Sequence, residues 1–533
     1  MKREEIQQLI DEINRLKSAL ILNEKQLLSK DEQLLLKDEQ LSLKDEQIER
    51  KNERILYLER QLFGRRSEKR LPDNLTGQLS LFDAMHGNAT LEEENMIVSI
   101  TEEITKKAEQ RRQHKKSKTG TEKRSYKIPA HIERKETVVE PENLDLTSMV
   151  KIGEDVTERL MLEPSKFWVE KTIRPIYKEK TSQPSLSTRI IQASAKPTIL
   201  PGCVAGSSVI SRIITDKFLH HIPEYRQTLR FKELGMDIST SSINRWIHDI
   251  ADKLYPLYVA IVELVLSTDY IQVDETTLAI NDRPGKTRKA YLWAIRSVLT
   301  PDLFFHYDKG SRSQEVALKL LKDYQGALQT DGYAAYSIYE NKKGVLPLGC
   351  MAHVRRKFEN ALKFHPEAQV ALDYISLLYM LEANLKEENA DFEQIRVERM
   401  EKAYPIMQEM ERWMARTANT CTPTSPLGKA IRYAFGIWLR LSRYCSDGRF
   451  QIDNNGVENA IRPIAVGRKN YMFAGNNNAA EDSCIFYTLM GCCKAADIDP
   501  AQWLSEVLEL IPTLQTPINW VQLIPSNFYQ NKF

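Results

Sequence analysis

Ile271-Gln272-Val273-Asp274-Glu275-Thr276-Thr277-Leu278-Ala279-Ile280 is the stretch whose reading decides the fold. It reads as a buried strand with a carboxylate, Asp274, set among Ile and Val. A buried unpaired charge costs several kcal/mol, roughly, so an acid is rarely kept in such a run for stability. Metal binding is one common way to hold it there. Working outward, Ala290–Val298 and Leu303–Tyr307 read as further strands, separated by Gly/Pro and Thr-Pro-Asp turns. A helix with apolar Val316, Leu320 and Leu321 follows, then a fourth strand, Ala327–Thr330, that ends at Asp331-Gly332. After a short helix, Val345–Cys350 is a fifth strand feeding a helix that begins near His353.

Three strands, a helix, a strand, a helix, a strand and a helix is the order of the ribonuclease-H-like fold. There the first and fourth strands are neighbours, which brings Asp274 and Asp331 to one edge of the sheet. From about 360 to 446 the chain is helical, with Leu372, Ile375, Leu378 and Leu381 in an amphipathic run. Gly448 breaks that run, and a helix beginning near Asp453 carries Glu458, which can fold back over the same point. Three converging carboxylates suit two divalent cations. Mg²⁺ prefers hard oxygen ligands, and two metals about 3.5–4 Å apart serve both the attacking and the leaving oxygen in phosphoryl transfer.

The first 66 residues read as a coiled coil. Ile6, Ile13, Leu20, Leu27, Leu34, Leu41, Ile48, Ile55 and Leu62 stand at unbroken seven-residue intervals. Three places on, the second seam runs Leu9, Leu16, Asn23, Lys30, Lys37, Lys44, Lys51 and Leu58, apolar only at its ends. The stretch is a dimerisation arm or a lone charged helix. Residues 67–125 are polar, without clear periodicity, and carry Lys106, Lys107, Arg111, Arg112, Lys115, Lys116, Lys118, Lys123 and Arg124. They read as a basic linker, either touching phosphates or simply solvated. Alternating runs such as Phe167-Trp168-Val169 mark a small β-rich module. Beyond it, a helix from Ile222-Pro223-Glu224-Tyr225 to Leu234, capped by Gly235, precedes a second helix N-capped within Ser239 to Ser242. Ile243, Trp246, Ile247 and Ile250 share one face of the second helix, and Arg245 and His248 point away from it. This is a helix-turn-helix pattern or an ordinary helical hairpin.

Composition excludes several classes. No apolar run of about 18 residues suggests a membrane span, and the N-terminus has no secretory h-region. The seven cysteines (203, 350, 421, 445, 484, 492, 493) form no CxxC pair and suit reduced cytosolic thiols. A net charge of +2 means that nucleic-acid affinity must come from local basic clusters.

Four blocks carry a resemblance. They are Val273-Asp274-Glu275-Thr276; Thr330-Asp331-Gly332-Tyr333-Ala334-Ala335-Tyr336; Cys350-Met351-Ala352-His353-Val354-Arg355-Arg356-Lys357-Phe358; and Asp453-Asn454-Asn455-Gly456-Val457-Glu458-Asn459-Ala460-Ile461-Arg462-Pro463 with Gly467-Arg468-Lys469-Asn470-Tyr471-Met472-Phe473-Ala474-Gly475. Together they resemble transposases of the insertion-sequence-66 family, a branch of the DDE transposases, over nearly the whole chain. The resemblance implies a polynucleotidyl transferase that cleaves DNA at an element's ends and transfers strands into target DNA. It assigns catalytic and metal-ligand roles to Asp274, Asp331 and Glu458, with two Mg²⁺ ions, replaceable by Mn²⁺. It also implies a bacterial cytoplasmic, nucleoid-associated protein, a homo-oligomer through the coiled coil, and accessory proteins from the same element. A nuclease of the same fold, or an inactive copy acting only as a DNA-binding regulator, is the alternative.

The expected layout is a multi-domain α/β chain: coiled coil (1–66), basic linker (67–125), zinc-finger-like module (126–195) and helix-turn-helix-like region (196–265). The ribonuclease-H-like core follows (266–360), then a helical insertion (361–446), completion of the core (447–490) and a C-terminal element (491–533). The chain departs from the family in its zinc-finger-like module. Ile152-Gly153-Glu154-Asp155-Val156 survives there, but residues 126–190 hold no cysteine and His131 is their one imidazole. A structural zinc needs four such ligands, so none is expected. Cys350 reads as buried at its strand end, while Arg245, His353, Arg355, Arg356 and Lys357 are candidates for facing DNA. Arg462, Arg468 and Lys469 flank Glu458 and suit phosphate contact, or else internal ion pairing.

Overall fold

The computed structural model describes residues 91–118, 166–178, 190–283 and 286–529. Residues Gly87–Phe533 form one compact unit, and a second unit, Met1–His86, lies outside the described residues together with the heptad stretch. Most of the zinc-finger-like module lies outside them too. Its described part includes a two-stranded antiparallel ribbon of β1 (Ile176–Lys178) and β2 (Ile190–Gln192).

The polar stretch 67–125 is not all linker, for α1 (Leu91–Lys118) runs through its second half. Ile97, Ile100, Ile104 and Ala108 are buried at helical spacing. That stripe is only four residues wide among charges, which hides it from a periodicity search. Each buried Ile contributes roughly 1.5–3 kcal/mol, more than the exposed ion pairs flanking it, worth about 0–1 each.

Three helices follow: α2 (Ser207–Phe218), α3 (Glu224–Glu233) and the long α4 (Thr240–Leu266). The turn between α3 and α4 holds Gly235 at φ +87°, a left-handed conformation that favours glycine. Ser239 caps α4 by accepting from the Ser242 amide at 3.1 Å. Ile243, Trp246, Ile247 and Ile250 are buried, and α4 continues apolar through Leu254, Leu257 and Ile261 into the main core.

The sheet that follows is mixed. β3 (Tyr270–Arg283), β4 (Lys286–Ser297) and β5 (Leu303–His306) form an antiparallel meander. α5 (Gln314–Leu320) leads to β6 (Gly326–Gln329), and a 3₁₀ turn over Ala334–Glu340 leads to β7 (Val345–Leu348). β6 lies parallel to β3 and β7 parallel to β6, so the strand order is β5-β4-β3-β6-β7.

α6 (Met351–Leu362) leaves β7 and enters a helical body: α7 (Ala368–Glu387), α8 (Phe392–Glu398), a π-turn at Arg399–Ala403, α9 (Tyr404–Thr420), α10 (Pro426–Gly436) and α11 (Trp438–Ser442). α1 docks on α7, where Lys107 and Arg111 pair with Glu388 and Glu387. The chain then returns to the sheet with α12 (Asn455–Tyr471), α13 (Asn477–Ala495), α14 (Pro500–Leu510) and the short α15 (Pro525–Phe528). One hydrophobic core joins α2–α4, the sheet, α12 and the C-terminal helices. Among the described residues no helix is long and apolar enough to cross a membrane.

Candidate active site

The parallel register of β3 and β6 places the first two acids. Gln272 stands opposite Gln329. Two residues further along each strand direction come Asp274 and Asp331. Side chains alternate across a sheet with period two, so each acid shares the face of its glutamine. Asp274 stays within β3, paired with Ala294 of β4. Asp331 lies just past the end of β6, where its Oδ1 accepts from the Tyr333 amide at 2.9 Å.

Glu458 comes from the first turn of α12, where the helix dipole favours an anion. It faces α6: its Oε1 is 3.8 Å from His353 Nδ1 and its Oε2 3.7 Å from Arg356 Nη2. The loop ahead of α12 is tied to the β7–α6 junction by the Met351 amide donating to Ile452 O and the Asn454 amide to Cys350 Sγ.

The electrostatics of the site are those of crowded, buried acids. Burial pushes the Asp274 carboxyl up to about 7, with Glu275, Asp331 and Glu458 pushing the same way against a hydrogen bond from the Glu275 amide. Burial lowers the pKa of His353. Neither His353 Nδ1 nor Glu458 Oε1 has a hydrogen-bond partner, although both atoms are buried. Glu275, next to Asp274 but on the opposite face, is spoken for: Arg312 bonds it at 3.1 and 3.2 Å, and the Tyr336 hydroxyl donates to it.

Among the described residues, no three His, Cys, Asp or Glu side chains close into a ready-made metal cage. The donor set nevertheless fits a hard divalent cation. It offers carboxylate oxygens only, one of them orphaned, around an acid whose charge is disfavoured until a cation compensates it.

Two sequence profiles match. The one described as "Transposase IS66 family" covers residues 202–482. The chain belongs to the IS66 transposase family. The second profile, "Transposase C of IS166 homeodomain", covers residues 50–137. Relatives in Sinorhizobium fredii (strain NBRC 101917 / NGR234) include three proteins that carry only the description "uncharacterized". Protein y4jD is 30% identical, over 75% of this chain and 81% of its own length. Protein y4qI is 32% identical, over 75% and 76%. Protein y4hP is 28% identical, over 85% and 84%.

The candidate DNA-facing residues of this IS66 transposase lie on α6, α12 and α4. On α6, Arg355, Arg356 and Lys357 are exposed and His353 is half-buried. Arg355 pairs with Glu359 at 3.0 Å, and Lys357 lies over the Tyr433 ring. On α12, Arg462 and Lys469 are exposed, whereas Arg468 is drawn inward. Its Nη1 donates to Thr277 O at 2.7 Å and Thr277 Oγ1 at 2.6 Å, fastening α12 across β3. Arg245 is exposed on α4, and its neighbour His248 bonds Asp482 of α13 at 2.9 Å. Cys350 is fully buried at the end of β7.

Sequence reasoning missed the polar residues beneath the acids. Tyr270, Gln272 and Gln329 are buried and bonded to one another. A glutamine between apolar Ile271 and Val273, and another after Ala327-Leu328, were the available signal, since a buried amide must find partners.

Proposed function

We propose that this transposase cuts DNA at the ends of its element and joins the freed 3′ ends to target DNA, on a ribonuclease-H-like core. The observation that carries the reading is the register of Gln272 opposite Gln329 on adjacent parallel strands, which puts Asp274 on β3 beside Asp331 just past the end of β6, with Glu458 brought to them by the helix after an insertion. The strand order β5-β4-β3-β6-β7 is that of the ribonuclease-H-like sheet.

Asp274, Asp331 and Glu458 are the proposed holders of two divalent cations, Mg²⁺ or Mn²⁺. When bound, such ions supply Lewis acidity to the phosphodiester and lower the pKa of a water nucleophile. The chain's own groups do the rest. The three carboxylates set where the reacting phosphate sits. Arg355, Arg356 and Lys357 on α6, with Arg462 and Lys469 on α12, hold the flanking phosphates. His353 and Arg356 both approach Glu458 from α6. Water attacks the phosphorus in line and the 3′ oxygen leaves as a hydroxyl. That hydroxyl in turn attacks a target phosphodiester: the new bond joins it to the target's 5′ phosphate, and the target's own 3′ oxygen leaves as a hydroxyl. No covalent enzyme intermediate is needed.

The α3–α4 pair, with Arg245, is the proposed helix-turn-helix that grips duplex DNA, and the heptad arm the proposed dimerisation element. In the domain division proposed, the insertion (361–446) separates the last two acids.

The test is a strand-transfer assay. Purified protein meets labelled duplex carrying the element's ends and a target plasmid, with Mn²⁺, with and without the element's accessory proteins. Joined product from the wild type and none from Asp331→Asn is the expected result. Cleavage without joining would make the protein a nuclease. DNA binding with no chemistry under any of these conditions would make it a regulator.

A further inference from the structure

The three acids come from three separate stretches of chain, and one buried amide pair bonds the two strands that precede the aspartates to the segment just ahead of the helix that carries Glu458. Gln329 uses its whole hydrogen-bonding capacity. Its Oε1 accepts from Gln272 Nε2 at 2.8 Å and from the Tyr270 hydroxyl at 2.7 Å. Its Nε2 donates to Gly349 O at 2.9 Å and Gln451 O at 2.8 Å. Gln272 Nε2 also donates to Asp453 O at 3.0 Å. The Tyr270 hydroxyl accepts from the Gln451 amide at 2.9 Å. Gln272 is two residues before Asp274, Gln329 two before Asp331, and the 451–453 carbonyls lie directly ahead of the helix that carries Glu458.

We infer that Gln329 and Gln272 are positioning residues that fix the spacing of Asp274, Asp331 and Glu458, so that the segment returning from the insertion cannot drift from the sheet. This rests on the three-carboxylate reading above. Simple core filling does not require this chemistry. An apolar residue would occupy the same volume, but the carbonyls of Gly349, Gln451 and Asp453 would lose their donors. Glutamate would not serve either, because a carboxylate has no proton to give. The chain also passes very close at Gly456, where a Cβ would fall 2.6 Å from Gln272 Oε1 and 2.4 Å from Arg296 Nη1. The stretch just before that segment is held by Arg399, which donates to the carbonyls of Tyr444, Asp447 and Phe450. A displacement of about 1 Å in such a site costs roughly 10²-fold in rate.

The experiment compares Gln329→Met and Gln272→Met with Thr488→Val in the full chain. Thr488 is a buried residue of α13 whose Oγ1 accepts from the amide of Phe305, on the edge strand β5, at 2.9 Å. Its loss removes a buried hydrogen bond without touching the acids. Mn²⁺ binding to the DNA-free protein is measured by electron paramagnetic resonance, alongside the cleavage rate at saturating DNA, the DNA concentration for half-maximal rate, and thermal melting. Gln329→Met is expected to weaken Mn²⁺ binding at least tenfold and to slow cleavage about 100-fold, roughly the effect of such a displacement, with half-saturation by DNA unchanged. Thr488→Val should leave binding and rate within about threefold of wild type, since the bond it loses contributes only about 1 kcal/mol and does not touch the acids. If Gln329→Met does not fold, Gln272→Met, which gives up one backbone carbonyl, carries the same expectation at smaller size. Equal Mn²⁺ affinity in the glutamine variants and Thr488→Val would overturn the inference. Retention of cleavage by Asp274→Asn would instead overturn the carboxylate reading beneath it.

Discussion

Asp274→Asn should make the metal-free protein more stable, and the gain should grow with pH. Burial raises the Asp274 pKa to about 7 from an ordinary 3.8, so folding favours the protonated acid. The stability is fully present below 3.8 and is lost as pH rises through about 7. Linkage over that interval amounts to roughly 4 kcal/mol in full, and to about 2–3 kcal/mol between pH 5 and 8. Asparagine keeps the oxygen that accepts from the Glu275 amide at 2.8 Å and never ionises, so it escapes this loss. For a folded unit of this size the difference is on the order of 3 °C in Tm. The assay is melting in EDTA at pH 5 and pH 8 for both proteins. The wild type should fall further than the variant across that range. Adding Mn²⁺ at pH 8 should recover the wild type by about 2.7 kcal/mol at a hundredfold excess over Kd, and the variant by much less. Parallel pH curves for the two proteins would refute the claim that Asp274 is a buried acid waiting for a cation.

Arg399→Met should destabilise the folded protein by about 3–5 kcal/mol in urea, because it strands the Glu382 carboxylate and three carbonyls; a loss under 1 kcal/mol counts against it. Gly326→Ala should cost at least about 2 kcal/mol, since φ is +130° and the new Cβ would lie 2.4 Å from Asp269 O; an unchanged urea midpoint would contradict this. Arg462→Ala and Lys469→Ala, both exposed, should each lower the slope of log K against log salt for DNA by about 1 with Tm unchanged. Arg468→Ala should also lower Tm, because its guanidinium fastens α12 to Thr277; a Tm equal to wild type would show that the fastening is idle.

The order of strands, the two aspartates and the return of Glu458 after a helical stretch were legible in the sequence, because apolar periodicity and turn residues are local signals. Gly235 and Ser239 marked the α3–α4 turn for the same reason. The stripe of α1 was not legible, because Ile97, Ile100, Ile104 and Ala108 gain meaning only against α7. Arg468 was read as a candidate for DNA because a sequence shows charge but not the neighbouring strand that accepts its protons. The sequence by itself determined which residues are chemically able to hold cations and phosphates. Only the tertiary structure decided that Gln272 and Gln329 meet in register beneath two acids and reach the segment that carries the third. Those partners lie up to 181 residues apart in the chain, and a buried amide's partners are chosen by packing rather than by sequence distance.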